Sequence, residues 1–192
     1  MVRIDKIVTK AGDGGTTRLA TGEEVAKSHP RMDAIGSVDE VNSALGVALA
    51  NMKGSNPLSF VLQRVQNDLF DLGADLATPE REKPLAFTPL RMTEGQVERI
   101  EKDIDGLNED LKPLTSFILP GGAPPSAAAY LHLARALARR AERALVRLKE
   151  SEHVSEAALK YINRVSDLLF VAARFENDKG EADVLWVPGQ NR

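Results

Sequence analysis

Three groups of residues have the types and spacing to do chemistry. The first is the run Thr9-Lys10-Ala11-Gly12-Asp13-Gly14-Gly15-Thr16-Thr17-Arg18-Leu19. Glycines let backbone N–H groups turn toward an anion with no side chain in the way. Lys10, Arg18 and Lys27 add positive charge nearby. The run suits a phosphate cradle and equally an ordinary turn. It is not a Walker A loop, because no Gly-Lys-Ser/Thr closes it, and no strand–helix unit surrounds it as a dinucleotide fingerprint requires. The second group is Arg135, Arg139 and Glu142, at i, i+4 and i+7 and so on one face of a helix, with Arg140 and Arg143 beside them. That pattern also fits a solvated helix face. The third is Asn163 and Asp167, with Phe170 and Arg174 continuing their line, inside a run from Tyr161 to Phe175 that is otherwise almost wholly apolar. A helix apolar on most sides should be buried, and buried polar groups need partners. The arginines of the preceding helix are the expected partners.

Other chemistries find no support. The chain has no cysteine, which removes disulfides, thiolate metal sites and thiol nucleophiles. His29, His132 and His153 are too scattered for a transition-metal site. A di-iron bundle needs paired Glu-x-x-His motifs, and the one match, Glu150 to His153, falls at a helix end. No nucleophile has a placed base.

The elements that must position these groups read as helices. A first helix is expected from Pro30 or Arg31 to about Met52, with Val38, Val41, Leu45 and Leu49 at helical spacing. Gly54-Ser55-Asn56-Pro57 breaks it. A second carries Leu58, Leu62, Val65, Leu69, Leu72 and Leu76 on one face and ends at Thr78-Pro79. After a proline-bearing loop, Thr93 caps a third helix of about residues 94 to 110, the most polar and so the outermost. Phe117-Ile118-Leu119-Pro120-Gly121-Gly122 is a rigid connector. A fourth helix spans about Pro125 to Glu150, packing through Ala134, Leu137, Ala138, Ala141, Leu145 and Leu148. Ser155 caps a fifth that runs to about Asn177. No segment shows sustained strand alternation, and the tail with Trp186 and Pro188 is either wrapped on the surface or mobile.

Residues 1–192 are expected to form a single domain. Within it, residues 1–29 make a loop-rich segment, 30–178 an all-α antiparallel bundle of five helices, and 179–192 a tail. Apolar residues make up 43%, charged residues 28%, and the net charge is −3. That acidic balance gives no reason to expect nucleic acid. No window reaches a membrane span and the N-terminus lacks a signal-peptide pattern, so no membrane partner and a cytoplasmic location are expected.

In order along the chain, TKAGDGGTTRL (9–19), GSVDEVNSALG (36–46), VQNDLFDLGADLATP (65–79), FILPGG (117–122), ARALARRAER (134–143) and INRVSDLLF (162–170) resemble the PduO-type ATP:cob(I)alamin adenosyltransferase family. Each stretch alone is a modest signal; six in order are a strong one. The resemblance implies a five-helix bundle of ferritin-like, cobalamin-adenosyltransferase type, assembled as a homotrimer with active sites between subunits. It implies that Thr9, Lys10, Gly12, Gly14, Thr16 and Thr17 bind ATP, with Lys27 near the phosphates and Arg139, Glu142 and Asn163 on the nucleotide. It makes Asp39 and Arg135 an acid–arginine pair across the interface, beside the corrinoid. Phe117 and Phe170 become aromatics of the corrin side. Arg135, Arg139, Asp39 and Phe117 form the implied catalytic set. The spacing between FILPGG and ARALARRAER departs from the family at Ala123-Pro124-Pro125, and the tail beyond Asn177 shows little match.

The implied reaction suits this inventory. Cob(I)alamin is itself the nucleophile: its cobalt attacks C5′ of ATP and triphosphate leaves. The protein must position two reactants and neutralise the leaving group, with Mg²⁺ held mainly through phosphate oxygens. The resemblance also implies that Phe117 helps displace the lower axial ligand of cob(II)alamin, although on residue type alone it would be a core aromatic. A flavin-type reductase and a B12-dependent acceptor enzyme are the implied partners. Two other readings stay open on the residues: an adenosylcobalamin carrier delivering cofactor to such an enzyme, and a purely structural bundle with an interhelical polar network.

Overall fold

The computed structural model describes residues 7–52, 56–81, 84–122 and 126–192. Five helices carry the architecture: α1 (Pro30–Ala50), α2 (Pro57–Leu76), α3 (Glu94–Asn108), α4 (Ala128–Lys149) and α5 (Glu156–Glu176). Each start follows from local chemistry. The His29 imidazole accepts from Arg31 N ahead of Pro30, and Asn56 accepts from Leu58 N ahead of Pro57. Thr93 and Gln96 form a reciprocal capping box, and Ser155 accepts from Ala158 N. The expected breaks at Gly54-Ser55 and the connector at Ala123–Pro125 lie outside the described residues.

Ion pairs and hydrogen bonds give the helix directions. Arg31 reaches Leu76 and Asn42 reaches Gln66, so α1 and α2 are antiparallel. Arg91 meets Asp75 and Arg64 meets Asp103, which runs α3 against α2. Asp33 meets Arg147, and Glu40 meets Arg140, which runs α4 against α1. Asn163 meets Glu142 while Ser126 meets Glu176, which runs α5 against α4. One core joins them, with Val41, Leu45, Leu62, Leu69, Leu145, Ile162 and Leu169 among its members. α3 buries only Val97 and Ile100 and lies outermost, as its polarity predicts. It is held by the Asp68 carboxylate of α2, which accepts from Arg99, Gln96 and the buried Tyr161 hydroxyl.

The loop-rich N-terminal segment also holds one short ladder that no strand pattern in the sequence marks. Strands β1 (Thr16–Arg18) and β2 (Glu24–Ala26) form an antiparallel hairpin, with Thr17 opposite Val25. Three residues are too few to show period-two alternation, so the ladder leaves no pattern in the sequence. The hairpin turns through Gly22, at φ +83°, and rests on the end of α2 through Ala20 N to the Ala77 carbonyl at 3.0 Å.

Candidate functional site

The glycine run folds as a turn closed from below by a cation. Lys27 Nζ donates to the Gly12 carbonyl at 2.7 Å, and Lys27 N donates to the Gly15 carbonyl at 2.9 Å. A Cβ on Gly12 would lie 2.8 Å from that ammonium and would push the lysine end aside. Gly15 takes φ +83° and Lys10 φ 61°, the left-handed conformation that lets successive amides face one side. Thr9 Oγ1 accepts from Ala11 N at 3.5 Å. Thr16 and Thr17 begin β1, so the strand fixes the far end of the turn. Gly14 has open space around it. Lys27 also lines a cleft of about 730 Å³ with Ser37, Glu40, Arg147 and Glu150.

On α4 and α5 the polar residues meet differently from expectation. Asn163 donates to Glu142 at 2.8 Å and accepts from Arg164 at 2.6 Å. Its partners are thus a carboxylate of α4 and its own neighbour, not the α4 arginines. Asp167 is exposed, because the line it shares with Asn163 rotates out of the α4–α5 seam. Arg174 is buried and pairs with Asp183 of the tail. Arg139 is exposed, and its carbonyl accepts from Arg143.

Arg135 is half-buried, and its Nε has no hydrogen-bond partner among the described residues. Burial pulls its guanidinium below the usual value, and the Arg139 charge acts in the same sense. Among the described residues it lacks the anion that would offset that cost. Asp39 is not that anion within this chain. Glu40 faces Arg140, so Asp39 and Arg135 differ in level by about 9 Å along the helices at 1.5 Å per residue. Asp39 instead stands in a groove of about 470 Å³ with Met32, Ile35, Asn42 and Phe70. Phe70 there is 70% exposed.

Phe117 is 77% exposed, which excludes the core-aromatic reading. Its ring stands 6.1 Å from that of Trp186. The tail wraps the connector: Leu119 N donates to the Val184 carbonyl at 2.8 Å, Trp186 N to the Phe117 carbonyl at 2.7 Å, and Ser116 Oγ to the Trp186 carbonyl at 2.7 Å. Phe170 does not join Phe117; it meets the buried His132 edge-on at 6.2 Å. Burial lowers the affinity of that imidazole for a proton, Arg135 adds to this, and Asp183 opposes it. Sequence reasoning missed Trp186 and His132. The one available signal was that Trp186 is the sole tryptophan of the chain.

The helix directions place these groups. The glycine turn sits at the end of the bundle where α1 starts and α4 finishes. Phe117 sits at the other end, where α4 starts and α5 finishes. Helices of 21 and 22 residues separate the two, roughly 30 Å. Arg139, Glu142 and Asn163 lie between.

The chain matches the model of the family described as "Cobalamin adenosyltransferase" over residues 7–176. It is 45% identical to a corrinoid adenosyltransferase of Mycobacterium tuberculosis, over 100% of this chain and 97% of the relative. It is 40% identical to a corrinoid adenosyltransferase of Bacillus subtilis, over 93% of this chain and 91% of the relative. Its fold is similar to a solved variant of the PduO-type ATP:corrinoid adenosyltransferase from Lactobacillus reuteri complexed with cobalamin and ATP. The TM-score is 0.85 at 38% identity, covering 94% of this chain and 99% of that one.

Proposed function

The chain belongs to the cobalamin adenosyltransferase family and is an ATP-dependent corrinoid adenosyltransferase, and from that premise we propose how its residues divide the work. The observation that carries the proposal is the glycine turn closed by Lys27. Thr9, Lys10, Gly12, Gly14, Thr16 and Thr17 cradle the triphosphate, and Lys27 adds charge where the leaving group develops it. Arg139, Glu142 and Asn163 hold the nucleoside; the 2.8 Å bond from Asn163 to Glu142 orients the last two toward each other. Cobalt(I) donates an electron pair to C5′, the bond from C5′ to the α-phosphate oxygen breaks, and triphosphate departs with that pair. No protein base is needed.

Among the described residues no cluster of three or more His, Asp or Glu side chains could hold a metal ion. Mg²⁺ therefore enters this proposal as a companion of the triphosphate, held through phosphate oxygens and lowering their charge.

Two copies make each site. C5′ is bonded to the phosphate chain, so the phosphate cradle must lie close to the cobalt. Phe117 must reach the same corrin to act on its lower ligand. One chain holds the two roughly 30 Å apart. A head-to-tail assembly brings the cradle of one copy to the Phe117 end of the next, and a closed ring of three satisfies it. The unpaired Arg135 and the exposed Asp39, in its apolar groove beside Phe70, supply a matching charge pair for that interface. Phe117 and Phe170 face the corrinoid. A flavin-type reductase supplies the electron and a B12-dependent enzyme takes the product. Among the described residues no helix is long and apolar enough to cross a membrane, and we place the enzyme in the cytoplasm.

The test is an anaerobic mixture of the protein with ATP, Mg²⁺ and chemically reduced cob(I)alamin, followed by the corrin spectrum and a triphosphate assay. Adenosylcobalamin and triphosphate should appear together in equal amounts. ATP binding without conversion would replace the enzyme by a carrier of adenosylcobalamin.

A further inference from the structure

Beyond α5 the chain turns back through three residues with positive φ, Asp178, Lys179 and Gly180 at 56°, 50° and 87°. The turn brings Asp183 under the last turn of the helix. Arg174 Nε donates to Asp183 Oδ2 at 2.9 Å, and Arg174 NH2 donates to the Lys112 carbonyl at 2.9 Å. Asn177 Nδ2 donates to Asp183 Oδ1 at 2.9 Å. One guanidinium thus ties three segments: α5, the stretch between α3 and the connector, and the tail. The side chains of Arg174 and Asp183 are only 7% and 3% exposed. A Cβ on Gly180 would lie 3.0 Å from Arg174 NH2 and 3.2 Å from Asp183 Oδ2, so the tail passes there only as glycine.

A buried ion pair adds little net stability over an apolar contact, but its directional bonds define one geometry. What that geometry sets lies immediately downstream. Val184 and Trp186 are the residues whose backbones pair with the connector, at Leu119 and at Phe117 itself. Phe117 projects from the protein and gets no support from the core. Its backbone is held by the Trp186 amide, and its ring has Trp186 for a neighbour.

We infer that the Arg174–Asp183 pair is a positioning device for the corrinoid end of the site: it anchors the strap 183–187, and the strap holds Phe117 in place. This rests on the corrinoid role proposed above for Phe117. Neither Arg174 nor Asp183 touches a reactant in this scheme. The consequence is selective. A loosened strap leaves the phosphate cradle untouched at the far end of the bundle, and it leaves the attack of preformed cobalt(I) nearly untouched. It weakens the step that needs Phe117 in register, which is the handling of the lower ligand of cob(II)alamin.

The experiment uses the full-length chain carrying Asp183→Asn, and Arg174→Lys as a second variant. Lysine keeps the charge but lacks the planar fork that reaches both Asp183 and the Lys112 carbonyl, so it serves where the first variant fails to fold. Three readouts are taken: ATP affinity by calorimetry, adenosylation from chemically reduced cob(I)alamin against cob(II)alamin with a reductant, and acrylamide quenching of Trp186, the sole tryptophan. The expected result is ATP affinity within about twofold, cob(I)alamin turnover within about threefold and cob(II)alamin turnover down about tenfold, or 1.4 kcal/mol. Quenching of Trp186 should rise about twofold. Equal losses from both corrinoids, or unchanged quenching with full cob(II)alamin turnover, would overturn the inference. Should the unsubstituted protein make no adenosylcobalamin from either corrinoid, the enzyme reading fails instead; unchanged quenching in both variants would then still overturn the anchor.

Discussion

If each site draws its phosphate cradle from one chain and Phe117 from the next, two differently disabled chains should rescue one another. Lys27→Ala removes the ammonium that closes the glycine turn at 2.7 Å. Phe117→Ala removes an exposed ring at the opposite end of the bundle. The two lie roughly 30 Å apart in one chain, whereas reacting atoms must come within about 3.5 Å. In a head-to-tail ring built from equal amounts of both variants, an interface works only when the first chain supplies an intact cradle and the second an intact Phe117. Random assembly yields that arrangement at about one interface in four. Purification through both tags leaves only rings that hold both variants, and each such ring of three has one working interface, so the mixed assembly should recover about a third of the unsubstituted activity, above the residual level of each parent alone. The assay is adenosylation of cob(II)alamin under reducing conditions, after co-expression with two different affinity tags and purification through both. Sites formed within one chain yield nothing from the mixture. Activity no higher than the mean of the two parents, in doubly tagged assemblies of confirmed composition, would refute the two-chain site.

Arg139→Ala should abolish adenosyl transfer while the helical circular dichroism stays unchanged, because the side chain is exposed and holds nothing in the fold; normal turnover would remove Arg139 from the site. Asp39→Asn should weaken assembly by roughly 3–5 kcal/mol if it leaves Arg135 buried without its anion, read from the concentration dependence of oligomer mass; a variant of unchanged assembly and rate would mean the pair does not form. His132 has a pH signature whose sign follows from burial. Its proton affinity is lowered in the fold from an ordinary value of 6.5, so the unfolded chain takes up the proton first. Its contribution is complete above about pH 6.5 and is lost as pH falls from there toward the lowered value. The drop in Tm between pH 7.5 and 5.5 should shrink in His132→Gln, and an identical drop would show that His132 is not protonation-linked to folding.

Much of this protein was legible because it is local. Period-3.6 spacing marks all five helices, and Thr93 and Ser155 cap where sequence places them. These signals need only neighbours within a turn or two of chain. The glycine turn was legible in the same way, as were the motifs that name the family. The short hairpin was not, since three residues carry no period. Nor could the line Asn163–Asp167 be read correctly. Whether a polar residue on an apolar helix is buried depends on which neighbour covers it, and α4 covers Asn163 but leaves Asp167 in water. The exposure of Phe117, its pairing with Trp186 and the Arg174–Asp183 anchor all join segments distant in sequence, and their residues have no local pattern to betray them. Most of all, the sequence places the phosphate cradle and Phe117 in one chain with no hint of distance. Only the directions of the helices put the glycine turn and Phe117 at opposite ends, which is the ground for proposing that two copies build each site.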